Sequence, residues 1–170
     1  MILWNFIKDN CDSKSGKTIS ITTGYWLYVN DKYFQIITHN TKDDIYIHIN
    51  KTGEYRHGGI IFNIFEFDSN ADGCADGSCE FVLVDLSDVD FDFVLRTRQD
   101  GDVIQPFGMS GHQKLKKYLN SKKIPNHEKD NLLFLTQGKE ILWAVGYGIS
   151  EKIRVKTKPT HKITIKKEGI

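Results

Sequence analysis

No apolar run in this sequence approaches the roughly 18 residues needed to span a bilayer, and Met1 to Ile7 is too short and lacks the basic start of a signal peptide. Cysteine is scarce. Cys11, Cys74 and Cys79 are three, an odd number without the look of a disulfide framework, which fits reduced thiols in a cytoplasmic protein. Cys74 and Cys79 stand further apart than a C-x-x-C pair and no second pair exists, so structural zinc is not expected. No internal repeat is visible. What is present, 39% apolar and 12% aromatic residues in 170, is enough to bury an ordinary globular core and excludes a disordered chain.

Net charge is also nearly missing, at +1, but that total conceals a division. Residues 1–93 hold 7 Lys+Arg against 15 Asp+Glu, a net of −8, while residues 94–170 hold 16 against 7, a net of +9. A basic half of this kind is the electrostatic footprint of nucleic-acid binding, although solvated lysines with no partner give the same count.

The local pattern is mostly strand. Segments rich in β-branched and aromatic residues run over Thr18–Thr22, Tyr25–Val29, Tyr33–Thr38, Ile45–Ile49, Ile60–Phe67, Glu80–Asp85 and Phe93–Arg98. Asn30-Asp31 and Thr52-Gly53 read as hairpin connections. Leu132–Thr136 pairs across Gln137-Gly138 with Glu140–Val145, and Lys152–Lys156 and His161–Lys166 complete the set. In Lys152–Lys156 the basic residues Lys152, Arg154 and Lys156 alternate with Ile153 and Val155. Met1–Lys8 carries Leu3, Phe6 and Ile7 at helical spacing. The expectation is an α+β, β-rich fold of antiparallel, sandwich-like sheets with one basic amphipathic helix and short helical turns, one of them at Asn126–Asp130. Residues 1–14 read as a helical tail or linker and 15–170 as the main domain, with its densest signature over 85–156.

The richest stretch runs from Leu95 to Lys117. Arg96 and Arg98 are two apart and leave the same face of a strand. Gly101 and Asp102 turn the chain. Gly108 and Gly111 bracket Ser110, which can cap a helix beginning at His112, with Gln113 completing a capping box. On that helix Leu115, Tyr118 and Leu119 pack inward, and Lys114, Lys116 and Lys117 stay in water. Glycines at a helix start beside arginines would make a cradle for phosphate. The competing role for Arg96 is an ion pair with Asp102 that staples the turn.

The same residues resemble the C-terminal region of bacterial tRNA(Ile)-lysidine synthetase. The likeness rests on four ordered blocks: R-T-R-Q-D-G-D from Arg96, F-G-M-S-G-H-Q-K-L-K-K from Phe107, K-I-P from Lys123 and I-L-W-A-V-G from Ile141. The chain departs from the family at Asn126 and Gly148, where arginine is frequent. The resemblance implies an enzyme that activates the first anticodon cytidine of an isoleucine tRNA with ATP and joins lysine to it. It assigns ATP and magnesium to a catalytic N-terminal domain whose S-G-G-x-D-S loop does not occur in this sequence. This chain itself is then expected to hold no cofactor or metal and to carry no catalytic residue. Its implied partners are the tRNA backbone on the acceptor-stem side, that catalytic domain and, undecided by any motif, a second copy of itself. The residues assigned to phosphate are Arg96, Arg98, Lys114, Lys116, Lys117, Lys129, Lys152 and Arg154. If roughly four to six of them touch it, the log–log salt slope is about −3 to −5.

Two other motifs compete. S-G-K-T at Ser15–Thr18 ends like a phosphate-binding loop, but Cys11 stands where that loop needs glycine, which leaves a polar turn before a strand. Asp68-Ser69-Asn70-Ala71-Asp72-Gly73 matches the first half of a calcium loop, while the twelfth position is Cys79 in place of glutamate. The alternative function is therefore a non-catalytic β-sandwich interaction module, its Asp68 loop either a plain acidic connection between strands or a calcium site. Asp88, Asp90 and Asp92 alternate without a partnering base and read as a solvated face.

Overall fold

The computed structural model describes residues 2–14, 16–38, 45–68 and 80–168. Packing divides the chain into two units, one of Met1–Asp43 with Ile124–Asn131 and the other of Asp44–Lys123 with Leu132–Ile170. The fold is α+β and rich in antiparallel strands. No helix among the described residues is long and apolar enough to cross a membrane.

The first unit holds helix α1 (Ile2–Asn10) and an antiparallel meander of β1 (Lys17–Thr22), β2 (Tyr25–Val29) and β3 (Phe34–Thr38). Its second hairpin closes on an asparagine, because a short amide side chain can bond its own backbone a few residues on. Asn30 Oδ1 accepts from the amides of Lys32 at 2.9 Å and Tyr33 at 2.8 Å. Leu27, Tyr28 and Val29 are buried, and the Tyr28 ring lies 4.1 Å from His127, on the short helix Asn126–Lys129. Within the S-G-K-T string Lys17 and Thr18 open β1, and Gly16 has φ +67° and lies so close to the Tyr28 ring that no side chain would fit.

The second unit carries two sheets. One contains β4 (Tyr46–Ile49), β8 (Phe93–Arg96), β9 (Val103–Ile104), β10 (Gln113–Lys114), β11 (Phe134–Gln137), β12 (Glu140–Ala144) and β13 (Gly148–Ile149). It runs in the order β10-β9-β12-β11-β8-β4, with β13 on β12, and β9–β12 is its one parallel pairing. The other, in the order β5-β6-β14-β7, contains β5 (Gly53–His57), β6 (Ile60–Glu66), β7 (Glu80–Val84) and β14 (His161–Lys167). Their inner faces share one core, with Ile47, Phe93, Leu95 and Leu135 from the first and Phe62, Ile64, Ile163 and Ile165 from the second. Helix α2 (Leu115–Ser121) belongs to this unit and buries Leu115, Tyr118 and Leu119. Truncating either leucine to alanine should cost about 2–5 kcal/mol.

Several expectations change. Thr52-Gly53 does not join a hairpin, since β4 and β5 lie in different sheets; β5 instead pairs with β6 across Gly58 and Gly59, both at positive φ. Lys152–Lys156 is not a strand. Ser150 Oγ accepts the Lys152 amide, a 3-10 turn forms over Glu151–Ile153, and Ile153 is fully buried with its carbonyl accepting the Asp85 amide at 3.0 Å. Burying one isoleucine in a turn thus replaces the alternating basic face. The calcium-loop residues Ser69–Cys79, including Cys74, lie outside the described residues.

Candidate nucleic-acid interface

On β8 the side chains alternate, so Arg96 leaves the sheet on the side opposite Leu95 and the shared core. Its guanidinium meets the Asp102 carboxylate in two parallel bonds, Nη2 to Oδ1 at 2.8 Å and Nη1 to Oδ2 at 2.9 Å. Nη1 also donates to the Thr97 carbonyl at 3.0 Å and Nη2 to that of Gly138 at 3.1 Å. The two side chains are 4% and 0% exposed. A buried pair persists when both charges are fully satisfied, as here. Asp102 Oδ2 further accepts the Gln99 amide at 2.7 Å, closing a turn in which Gly101 has φ +88°.

Arg96 is therefore the staple of its turn and does not face solvent to hold phosphate. Arg98 lies beyond the end of β8 and is half-buried, so the two arginines do not share a strand face. No cradle is built from the arginine pair.

The glycine-rich segment that follows is ordered by its own polar contacts. Gln105 Nε2 donates to the Met109 carbonyl at 2.8 Å, and the Gly108 amide, at φ +79°, donates to Glu151 Oε2 at 2.8 Å. Phe107 and Met109 stand exposed at its tip. Gln113 and Lys114 then pair with Ile104 and Val103 as β10, which delays the helix to Leu115 and displaces the expected Ser110 cap. Lys114 holds the cap position without a side-chain bond, and the Leu115 amide donates to the Asp102 carbonyl at 2.9 Å. The helix start is tied to the staple and offers no phosphate cradle.

Away from that anchor, Lys114, Lys116 and Lys117 are exposed and have no ion-pair partner among the described residues. Lys122 and Lys123, exposed just past the helix, extend the patch. Lys122 Nζ lies 5.3 Å over the Tyr118 ring. Tyr118 donates its hydroxyl to the Tyr147 carbonyl at 2.9 Å, and burial pushes its phenol above the ordinary value. The sequence signal for Lys122 and Lys123 was their adjacency to the K-L-K-K run.

Residues 93–165 match the family model for the TilS substrate C-terminal domain. They form a TilS C-terminal domain. The tRNA(Ile)-lysidine synthase of Caldanaerobacter subterraneus subsp. tengcongensis is 38% identical, over 52% of this chain and 22% of that protein. That of Clostridium acetobutylicum is 30% identical, over 75% of this chain and 28% of that protein. The chain thus spans about a quarter of the length of these curated relatives. A crystal structure of a TILS C-terminal domain shares the fold with TM-score 0.52 at 21% identity, covering 74% of this chain and 98% of that one.

Much of the signature of this TilS C-terminal domain is scaffold. R-T-R-Q-D-G-D is the stapled turn, and I-L-W-A-V-G begins inside β12, whose Ile141, Leu142, Trp143 and Ala144 are all buried. The remaining assigned cations are engaged elsewhere. Lys152 Nζ pairs with Glu140 at 2.8 Å and bonds Gln137 at 2.9 Å, and Arg154 pairs with Glu151 at 3.1 Å. Lys129, in the other unit, is 6% exposed and donates to Asn126 Oδ1 at 2.8 Å. Burial pushes the Glu140 carboxyl up, but hydrogen bonds and charge from Lys152 and His112 outweigh it and hold the group below its ordinary value.

Proposed function

We propose that this chain is the tRNA-gripping C-terminal region of a tRNA(Ile)-lysidine synthase. The observation that carries the reading is the outward side of α2 and its end: Lys114, Lys116, Lys117, Lys122 and Lys123 stand exposed on an element whose opposite side is locked into the sheet. Lysines are mobile point charges, which suits the uneven phosphates of a folded RNA and reads its shape more than its bases. Contacts to phosphate fix register and orientation, and in the parent enzyme would carry the anticodon cytidine to an active site elsewhere. The ATP- and magnesium-dependent joining of lysine belongs, in this reading, to a separate catalytic domain, and these residues contribute no chemistry of their own. The acceptor-stem side of the tRNA is the proposed footprint.

The test is a filter-binding titration of the chain with tRNA at two salt concentrations. Salt-dependent binding that weakens when Lys114, Lys116 and Lys117 are together changed to alanine supports it. Binding that ignores both salt and these substitutions would refute it.

A further inference from the structure

An antiparallel sheet with one face on a core usually meets water with polar side chains on the other. The outer face of β5-β6-β14-β7 sets exposed aromatic rings among those polar side chains. Its register sets Phe65, Lys162 and Leu83 abreast in one row and Asn63, Thr164 and Phe81 in the next. Phe65 is 50% exposed and Phe81 55%. Lys162 Nζ lies 5.5 Å over the Phe81 ring, and Lys166 is exposed one row further on.

Polar chemistry between the rings is incomplete. Asn63 Nδ2 donates to Thr164 Oγ1 at 3.2 Å, but Asn63 Oδ1, which is shielded from solvent, has no hydrogen-bond partner among the described residues. A buried acceptor left without a donor is uncommon and disfavoured.

We propose that this outer face is a stacking platform for unpaired nucleotides of a single-stranded nucleic acid. From strand spacing and rise, Phe65 and Phe81 sit diagonally across β14 at roughly 12 Å, so each ring is a separate station for one base. Aromatic faces accept any base, and the lysines between them meet the backbone. Charge agrees with this occupant. The carboxylates of Glu54 and Glu168 are both held by Arg56, at 2.7 and 3.1 Å, which leaves Lys162 and Lys166 to a polyanion. A protein partner fits less well, since interface centres are apolar and depleted of charge, whereas here Lys162, Asn63 and Thr164 separate the rings. The platform uses a different face and different chemistry from α2 and does not depend on the tRNA reading.

Fluorescence anisotropy of the 170-residue chain with a labelled, unstructured oligoribonucleotide of about eight residues tests it, with a hairpin of equal length as control. The chain should prefer the unpaired oligomer. Phe81→Ala and Phe65→Ala should each weaken it by roughly 5- to 150-fold, and Phe81→Trp should retain binding. Thermal melting checks that each variant is folded; Lys162→Glu, which leaves both rings in place, should also weaken binding and serves if an alanine variant unfolds. Absence of oligomer binding by the unmodified chain, or binding unchanged by these substitutions, overturns the proposal. So does a change in sedimentation mass on Phe65→Ala without oligomer binding, which would assign the face to protein contact. A failure of the tRNA reading would appear separately, with tRNA and the lysine variants of α2.

Discussion

Arg96 and Asp102 are joined by two parallel hydrogen bonds of 2.9 and 2.8 Å inside the domain, and the Asp102 backbone carbonyl in turn accepts the first amide of α2. One aspartate therefore sets both the turn after β8 and the start of the basic helix. Arg96→Ala should destabilise the domain by about 3–5 kcal/mol by leaving a buried carboxylate uncompensated. Joint replacement of both residues by apolar ones of similar volume should recover much of that loss. Urea denaturation measures both. An Arg96→Ala variant that stays as stable as the parent but loses tRNA affinity would return Arg96 to the binding surface.

Salt dependence should be shallower than the eight originally assigned cations suggest. With roughly three to five of the exposed lysines at phosphate, the log–log slope for tRNA is about −3 to −4.5. Removing Lys114, Lys116 and Lys117 together should flatten it by about 2–3 units while leaving the melting temperature nearly unchanged.

Stability should fall in two acid steps. His161 is partly buried beside Phe91, and burial lowers its pKa despite the opposing charges of Glu66 and Asp85. The unfolded chain therefore binds its proton first, so stability present above the ordinary histidine value of 6.5 is lost as pH falls below it. Glu140 is also depressed, so its contribution is present above its ordinary value of 4.5 and disappears as pH falls through the lower folded value. Melting temperature against pH should show both steps. His161→Gln should remove the upper one, and Glu140→Gln should reduce the lower, to which the Asp85 carboxyl, held below its ordinary value by hydrogen bonds from Ser87, also contributes.

Placing arginine at Gly148 should be unfavourable in this chain. Gly148 has φ +132°, and a Cβ there would lie 2.9 Å from the Tyr118 hydroxyl, which bonds Tyr147. Gly148→Arg should lower stability by about 1–3 kcal/mol in urea melts. Asn126→Arg should also be unfavourable, although position 126 is exposed, because it removes an acceptor of the buried Lys129 ammonium and sets a second cation beside it.

The strands with strong alternation, such as Tyr46–Ile49 and His161–Lys167, were legible because one face had to be apolar. Gly53–His57 was not: Glu54 and Arg56 look like loop residues, and the Gly58-Gly59 turn was the signal that went unread. Lys152–Lys156 misled because alternation over five residues is also produced by a 3-10 turn that buries a single isoleucine. The lysines of α2 were readable from helical spacing. Arg96 was not assignable, because its spacing is equally compatible with a surface ligand and an interior pair, and burial by tertiary packing decides between them.

The stapled turn has a practical corollary at the bench. Mobile ions weaken contacts at the exterior far more than a charge pair enclosed within the interior. A concentrated salt wash should therefore strip co-purifying polynucleotide from the preparation while its scaffold stays intact.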